Sequence, residues 1–119
     1  LTVREGGTRE QRERFVRQWY REQLSAEIVK LLPKWESATG LGAASWQTKY
    51  MTTRWGSCNT GTGKIWLSLQ LAQRPPRYLE YVLLHELLHL TEPAHNRRFY
   101  ALMSRYMPDW REVKKTLNG

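Results

Sequence analysis

The chain has three histidines, and all of them fall within YVLLHELLHLTEPAHNRRFY, residues 81–100. His85 and His89 are four residues apart, and Glu86 follows the first of them. On a helix that turns about 100° per residue, the two imidazoles lie about 40° apart and one turn from each other, with Glu86 flanking the same arc. Imidazoles placed in this way can bind one metal ion, and the adjacent carboxylate can reach a water on that ion. His95 lies beyond Glu92-Pro93, where the proline pushes the residue before it out of helical geometry. The chain can therefore fold back there and bring a third nitrogen to the same ion. Three protein nitrogens leave the fourth tetrahedral position to water, which separates a catalytic zinc site from a closed structural one.

The chemistry that follows is hydrolysis. Zinc lowers the pKa of a bound water toward ~7 and polarises a carbonyl or phosphoryl oxygen, while Glu86 takes the water's proton and passes it to the leaving group. The tetrahedral intermediate needs a further donor, for which Tyr100, Tyr106 and Arg54 are candidates, although such side chains also serve in packing and at surfaces. Glu92 is placed either to accept from a ligand N–H or simply to lie exposed in a turn. Cys58, the lone cysteine, cannot form an internal disulfide and reads as a turn or core residue, which fits a reducing compartment such as the cytoplasm.

The elements that must position these groups can be read from periodicity and punctuation. Residues 1–7 read as a frayed lead-in, after which Thr8-Arg9-Glu10-Gln11 has the form of a capping box. Phe15, Val16, Trp19, Tyr20, Leu24, Ile28, Leu31 and Leu32 then recur at helical spacing, predicting one buried stripe on a long helix. Pro33, Gly40 and Gly42 are expected to end it. Period-two alternation predicts strands over Trp46–Thr53 and Lys64–Leu69, paired as an antiparallel hairpin around a turn-rich linker, with a third short strand needed for stability. Pro75 and Pro76 suit the first turn of the next helix, which runs to about Thr91. Most of Tyr78–Leu90 is apolar or aromatic on every side, so this helix should be buried, and its histidines and glutamate must be satisfied by something. A helix over Ala94–Arg105 and a last short one from Pro108-Asp109 complete the reading.

At 119 residues the chain suits one domain, residues 1–119, and its start at Leu1 suggests the C-terminal part of a longer chain. No apolar run approaches the ~20 residues of a membrane span. The net charge is +8, and residues 37–79 carry no acid while holding Lys49, Arg54, Lys64, Arg74 and Arg77. That stretch either forms a solvated surface or attracts a nucleotide or nucleic acid.

RWGSC at residues 54–58, I-x-L-x-x-x-L at 65–71, L-E-Y-V-x-x-H-E-x-x-H-L at 79–90, H-N-x-x-F at 95–99 and P-x-W at 108–110 together resemble the YgjP-like and SprT-like metallopeptidase domains, which have a minimal gluzincin-type core. The resemblance spans residues 46–112. It implies a small zincin-like α+β domain in which a long N-terminal helix and a short antiparallel sheet pack on the zinc helix, followed by a helix carrying the third ligand. It further implies His85, His89 and His95 as zinc ligands, Glu86 as base, a peptide or protein substrate held along the edge strand, and a cytoplasmic location. With RWGSC close to the metal, Arg54 and Trp55 become candidate substrate contacts. The metzincin pattern H-E-x-x-H-x-x-G-x-x-H has the same ligand spacing, but Glu92 stands where its glycine would be. A zinc peptidase is therefore the leading reading. A metal-dependent phosphohydrolase of nucleotides and a DNA-associated protease of the SprT type are the alternatives, both resting on charge.

Overall fold

Thr8 caps the first helix as its sequence requires: its hydroxyl accepts from Gln11 N at 3.1 Å while Gln11 Oε1 accepts from Thr8 N at 3.0 Å. The computed structural model describes residues 8–119, so the expected lead-in over residues 1–7 lies outside the described residues. Helix α1 spans Arg9–Thr39 and does not stop at Pro33. Proline removes one helical hydrogen bond, the one to the carbonyl of Val29. Val29 is 62% exposed and Pro33 faces solvent, so water can satisfy that carbonyl, while Leu32 and Trp35 on the opposite face bind the helix to the core. The helix ends instead at Gly40, whose φ of 73° is left-handed and whose N–H reaches Glu36 O at 2.9 Å. The predicted stripe is buried only from Leu24 onward. The N-terminal half projects past the core, leaving Phe15 43% exposed and Val16, Trp19 and Tyr20 half-buried.

The sheet corrects the expected pairing. Its strands are β1 (Ser45–Lys49), β2 (Gly56–Asn59) and β3 (Lys64–Ser68), in the order β1-β3-β2. β1 pairs with β3 in parallel, and β2 pairs with β3 antiparallel, so the sheet is mixed. The hairpin is real, but its first strand lies inside the stretch read as a linker. Asn59 makes the turn: its Oδ1 accepts from Gly61 N at 2.9 Å and Thr62 N at 3.2 Å, and Gly63 supplies the positive φ of 75°. β1 ends at Lys49 rather than Thr53 because the chain must then cross the sheet's end to reach the far side of β3. The crossing is tied down at Met51 O, which accepts from Ser68 Oγ and Gln70 Nε2.

A 3-10 turn over Leu69–Gln73 leads into α2 (Pro76–Leu88), with α3 (Arg97–Tyr106) and α4 (Trp110–Asn118) after it. α2 is the centre of the domain, packed by α1, β2, β3, α3 and α4. Leu83, Leu84 and Leu87 are fully buried, as the all-round apolar pattern required. α3 begins later than expected, because Asn96 is its cap and accepts from Phe99 N at 2.9 Å. His95 therefore sits on the connecting loop and not on the helix. Among the described residues, no helix is long and apolar enough to cross a membrane.

Candidate metal centre

α2 carries His85 and His89 to its C-terminal end, where α-helical geometry ceases after Leu88. Two tight turns follow, with Thr91 N and Glu92 N both bonded to Leu88 O. The loop then returns His95 to the same spot. His95 Nε2 lies 3.0 Å from His89 Nε2 and 3.1 Å from His85 Nε2. Phe99 sets the floor, stacked on His89 at 4.6 Å and edge-on to the other two rings at 5.0 Å.

The outward-facing nitrogens decide what this cluster can hold. His89 Nδ1 is 3.1 Å from Glu92 O, and a carbonyl only accepts, so Nδ1 carries the proton. His85 Nδ1 is 3.2 Å from Glu86 Oε2, and an ionised carboxylate imposes the same tautomer. Both neutral rings then turn Nε2 lone pairs toward His95, whose single N–H cannot satisfy them all. A cation fits where those lone pairs meet, and tetrahedral zinc with ~2.05 Å bonds would separate its nitrogens by ~3.3 Å, close to the spacing found. Burial, and then His85 and His89, push the His95 imidazole below its ordinary pKa, keeping it neutral and able to ligate. His85, His89 and His95 together can hold a metal ion.

Glu86 is only 5% exposed and lies against β2. A Cβ at Gly56 would come within 2.7 Å of Val82 Cγ1, 2.9 Å of Trp66 O and 3.3 Å of Glu86 Oε2. Only glycine permits this approach of strand to helix. Gly56→Ala is expected to destabilise the domain by about 1–3 kcal/mol through overpacking, read from the midpoint of guanidinium unfolding. An unchanged midpoint would mean that the close approach is not needed.

A cavity of about 150 Å³ opens beside Glu86, lined by Trp55, Gly56, Tyr81, His85, Glu86 and Asn118 among others. Trp55 thus lies where the motif suggested, its indole N–H donating to Asn118 Oδ1 at 3.0 Å. Arg54 is exposed and does not line the cavity. Tyr100 is stacked between His95 and Trp110, and it faces a different groove with Arg97 and Lys114. Tyr106 packs at the end of α3 with the Arg105 guanidinium over its ring, away from the cavity. Glu92 meets His89 through its backbone carbonyl, while its carboxylate holds Asn96 at 3.2 Å and Arg98 at 3.1 Å. Tyr81 was not singled out from the sequence, although its place one turn before His85 puts it on the same face. Burial, then Glu86, then Tyr100 push its phenol up to about 12. Burial and Glu86 likewise raise the Cys58 thiol, which keeps it protonated and suited to packing.

A family model described as YgjP-like, metallopeptidase domain, matches residues 1–119. The chain belongs to the YgjP-like metallopeptidase family. Its match extends beyond the motif-bearing stretch to the whole of α1. The metallopeptidase zymogen of Pyrococcus abyssi abylysin shares the fold of this YgjP-like domain with a TM-score of 0.69, at 18% identity over 76% of this chain and 90% of that one. The metallopeptidase zymogen of Methanocaldococcus jannaschii jannalysin shares it with a TM-score of 0.65, at 18% identity over 76% and 92%. No curated protein is significantly similar to the chain. The α+β class expected for a small zincin-like domain is thus the class found, and the family makes a metal-dependent peptidase the supported activity.

Proposed function

We propose that this YgjP-like domain is a zinc peptidase in which His85, His89 and His95 hold the ion and Glu86 is the general base. The observation that carries this reading is the convergence of three Nε2 atoms whose partner nitrogens, on His85 and His89, are already bonded outward. An all-imidazole donor set suits zinc, and a zinc ion held there supplies Lewis acidity toward water and a substrate carbonyl. Glu86 accepts a proton from the attacking water and delivers it to the leaving amine. Phe99 and Glu92 O hold the His89 ring in one orientation, and Glu86 fixes His85. β2 is an edge strand that begins at Gly56, beside Glu86, so an extended peptide can pair along it.

The phosphate alternatives rest on the charge of the basic stretch alone. Arg77 is engaged by Asp109 and Glu80, Arg74 lies over Trp55, and Lys49 and Lys64 both lie over Trp66. A lone cysteine, which can form no internal disulfide, accords with a reducing cytoplasm. The test is elemental analysis of the purified chain together with cleavage of a mixed peptide pool. About one zinc per chain is expected, with cleavage lost on treatment with dipicolinate and restored by added zinc. Phosphate release from nucleotides without any peptide cleavage would replace this reading with the phosphohydrolase.

A further inference from the structure

The proposed site has a base and a place for a metal, but the oxygen of the scissile carbonyl gains charge during attack and needs a hydrogen-bond donor in a dry setting. The cavity wall offers few. Glu86 only accepts when ionised, and the Nδ1–H of His85 is committed to it. The Trp55 indole N–H is bonded to Asn118. Val82 and Gly56 bring no polar side-chain atom. Asn118 retains amide hydrogens, but it is exposed near the end of α4, where water competes for them.

Tyr81 differs from all of these. It is 7% exposed, one turn before His85 on α2, with the two ring centroids 5.9 Å apart. Among the described residues its hydroxyl has no hydrogen-bond partner, and the one wholly enclosed side-chain polar atom left unpaired is Trp35 Nε1. The Tyr81 hydroxyl is therefore not fully enclosed, and Tyr81 lines the cavity together with His85 and Glu86. The O–H is committed to no described acceptor, so it is free to donate to a ligand in the cavity.

We propose that Tyr81 is a catalytic residue, its hydroxyl donating a hydrogen bond to the scissile carbonyl oxygen as that oxygen becomes negative. The inference rests on the peptidase reading. No proton is transferred by Tyr81; it donates a hydrogen bond and keeps its hydrogen throughout. Of the three donors suggested by the sequence, Tyr100 is stacked between His95 and Trp110 and faces another groove, and neither Tyr106 nor Arg54 lines the cavity.

The experiment is Tyr81→Phe, which keeps the ring and its packing, compared with wild type and with Lys115→Ala, an exposed α4 position outside the cavity, all zinc-loaded. Tyr81→Phe should retain full zinc by elemental analysis and lower kcat by about 100-fold, the loss typical of one such donor, with KM changed by less than about threefold. A phosphinic pseudotripeptide of alanine, which carries the tetrahedral oxyanion, should bind Tyr81→Phe at least about tenfold more weakly by calorimetry. Lys115→Ala should change neither value by more than about threefold, since substitutions at exposed positions away from the site are usually near neutral. A Tyr81→Phe protein that turns over like wild type, binds the phosphinate equally, or loses its zinc overturns the proposal. If zinc-loaded wild type cleaves no peptide, the peptidase reading falls, and the phosphinate comparison decides Tyr81 by itself, equal affinities counting against it.

Discussion

Glu86→Gln is expected to lower kcat by about 10³-fold, within the range that a positioned general base contributes, while leaving the zinc content unchanged. The two outcomes separate because the side chain has two tasks. As a hydrogen-bond acceptor it orients His85 through Nδ1 at 3.2 Å, and the amide oxygen of glutamine can do the same. As a base it must take a proton, which an amide does not do at neutral pH. Volume is nearly conserved, so the close approach of Gly56 to Glu86 is undisturbed. Single-turnover assays and elemental analysis on the same preparation read both quantities. Wild-type turnover in the variant would remove Glu86 from the proton path, and loss of zinc would make it an orienting group for His85 above all else.

His95→Ala is expected to weaken zinc binding by at least about 100-fold, since removing a ligand should exceed the loss caused by removing a group that merely orients one. It is the cleanest of the three histidine substitutions. His89 is buried and stacked on Phe99, and His85 contacts both Phe99 and Tyr81, so truncating either also disturbs the core. His95 also meets Phe99 and Tyr100, but it is exposed on the loop before α3, so loss of its ring costs less packing. The metal-free variant should therefore melt within a few degrees of the metal-free wild type while failing to compete for zinc against a chromogenic chelator. A variant that binds zinc as tightly as wild type would mean that another group is the third ligand.

The site was legible to the extent that it is local. Glu86 and His89 are separated by two leucines, and nothing but helical periodicity is needed to put His85 and His89 on one face. The cap at Asn96 is likewise written in neighbouring residues, although it moved the start of α3 past His95; the end of α2, expected at about Thr91 from Pro93, falls earlier, at Leu88. Pairing was harder to read. β2 was hidden because Gly, Ser and Asn resemble a linker, and glycine there answers to Val82 and Glu86 rather than to any turn. The strand's glycine is explained by a contact with α2, some thirty residues away in the chain.

By itself, then, the sequence determined the helices, the burial of α2 and the face its histidines share, because periodicity, capping and proline effects act within a turn or two of chain. Only the tertiary structure decided that α1 passes through Pro33, that β1 runs parallel to β3, and that Tyr81 rather than Tyr100 lines the cavity beside Glu86. Each of those depends on which groups from distant segments, or which water, meet a given atom, and no local pattern specifies such a partner.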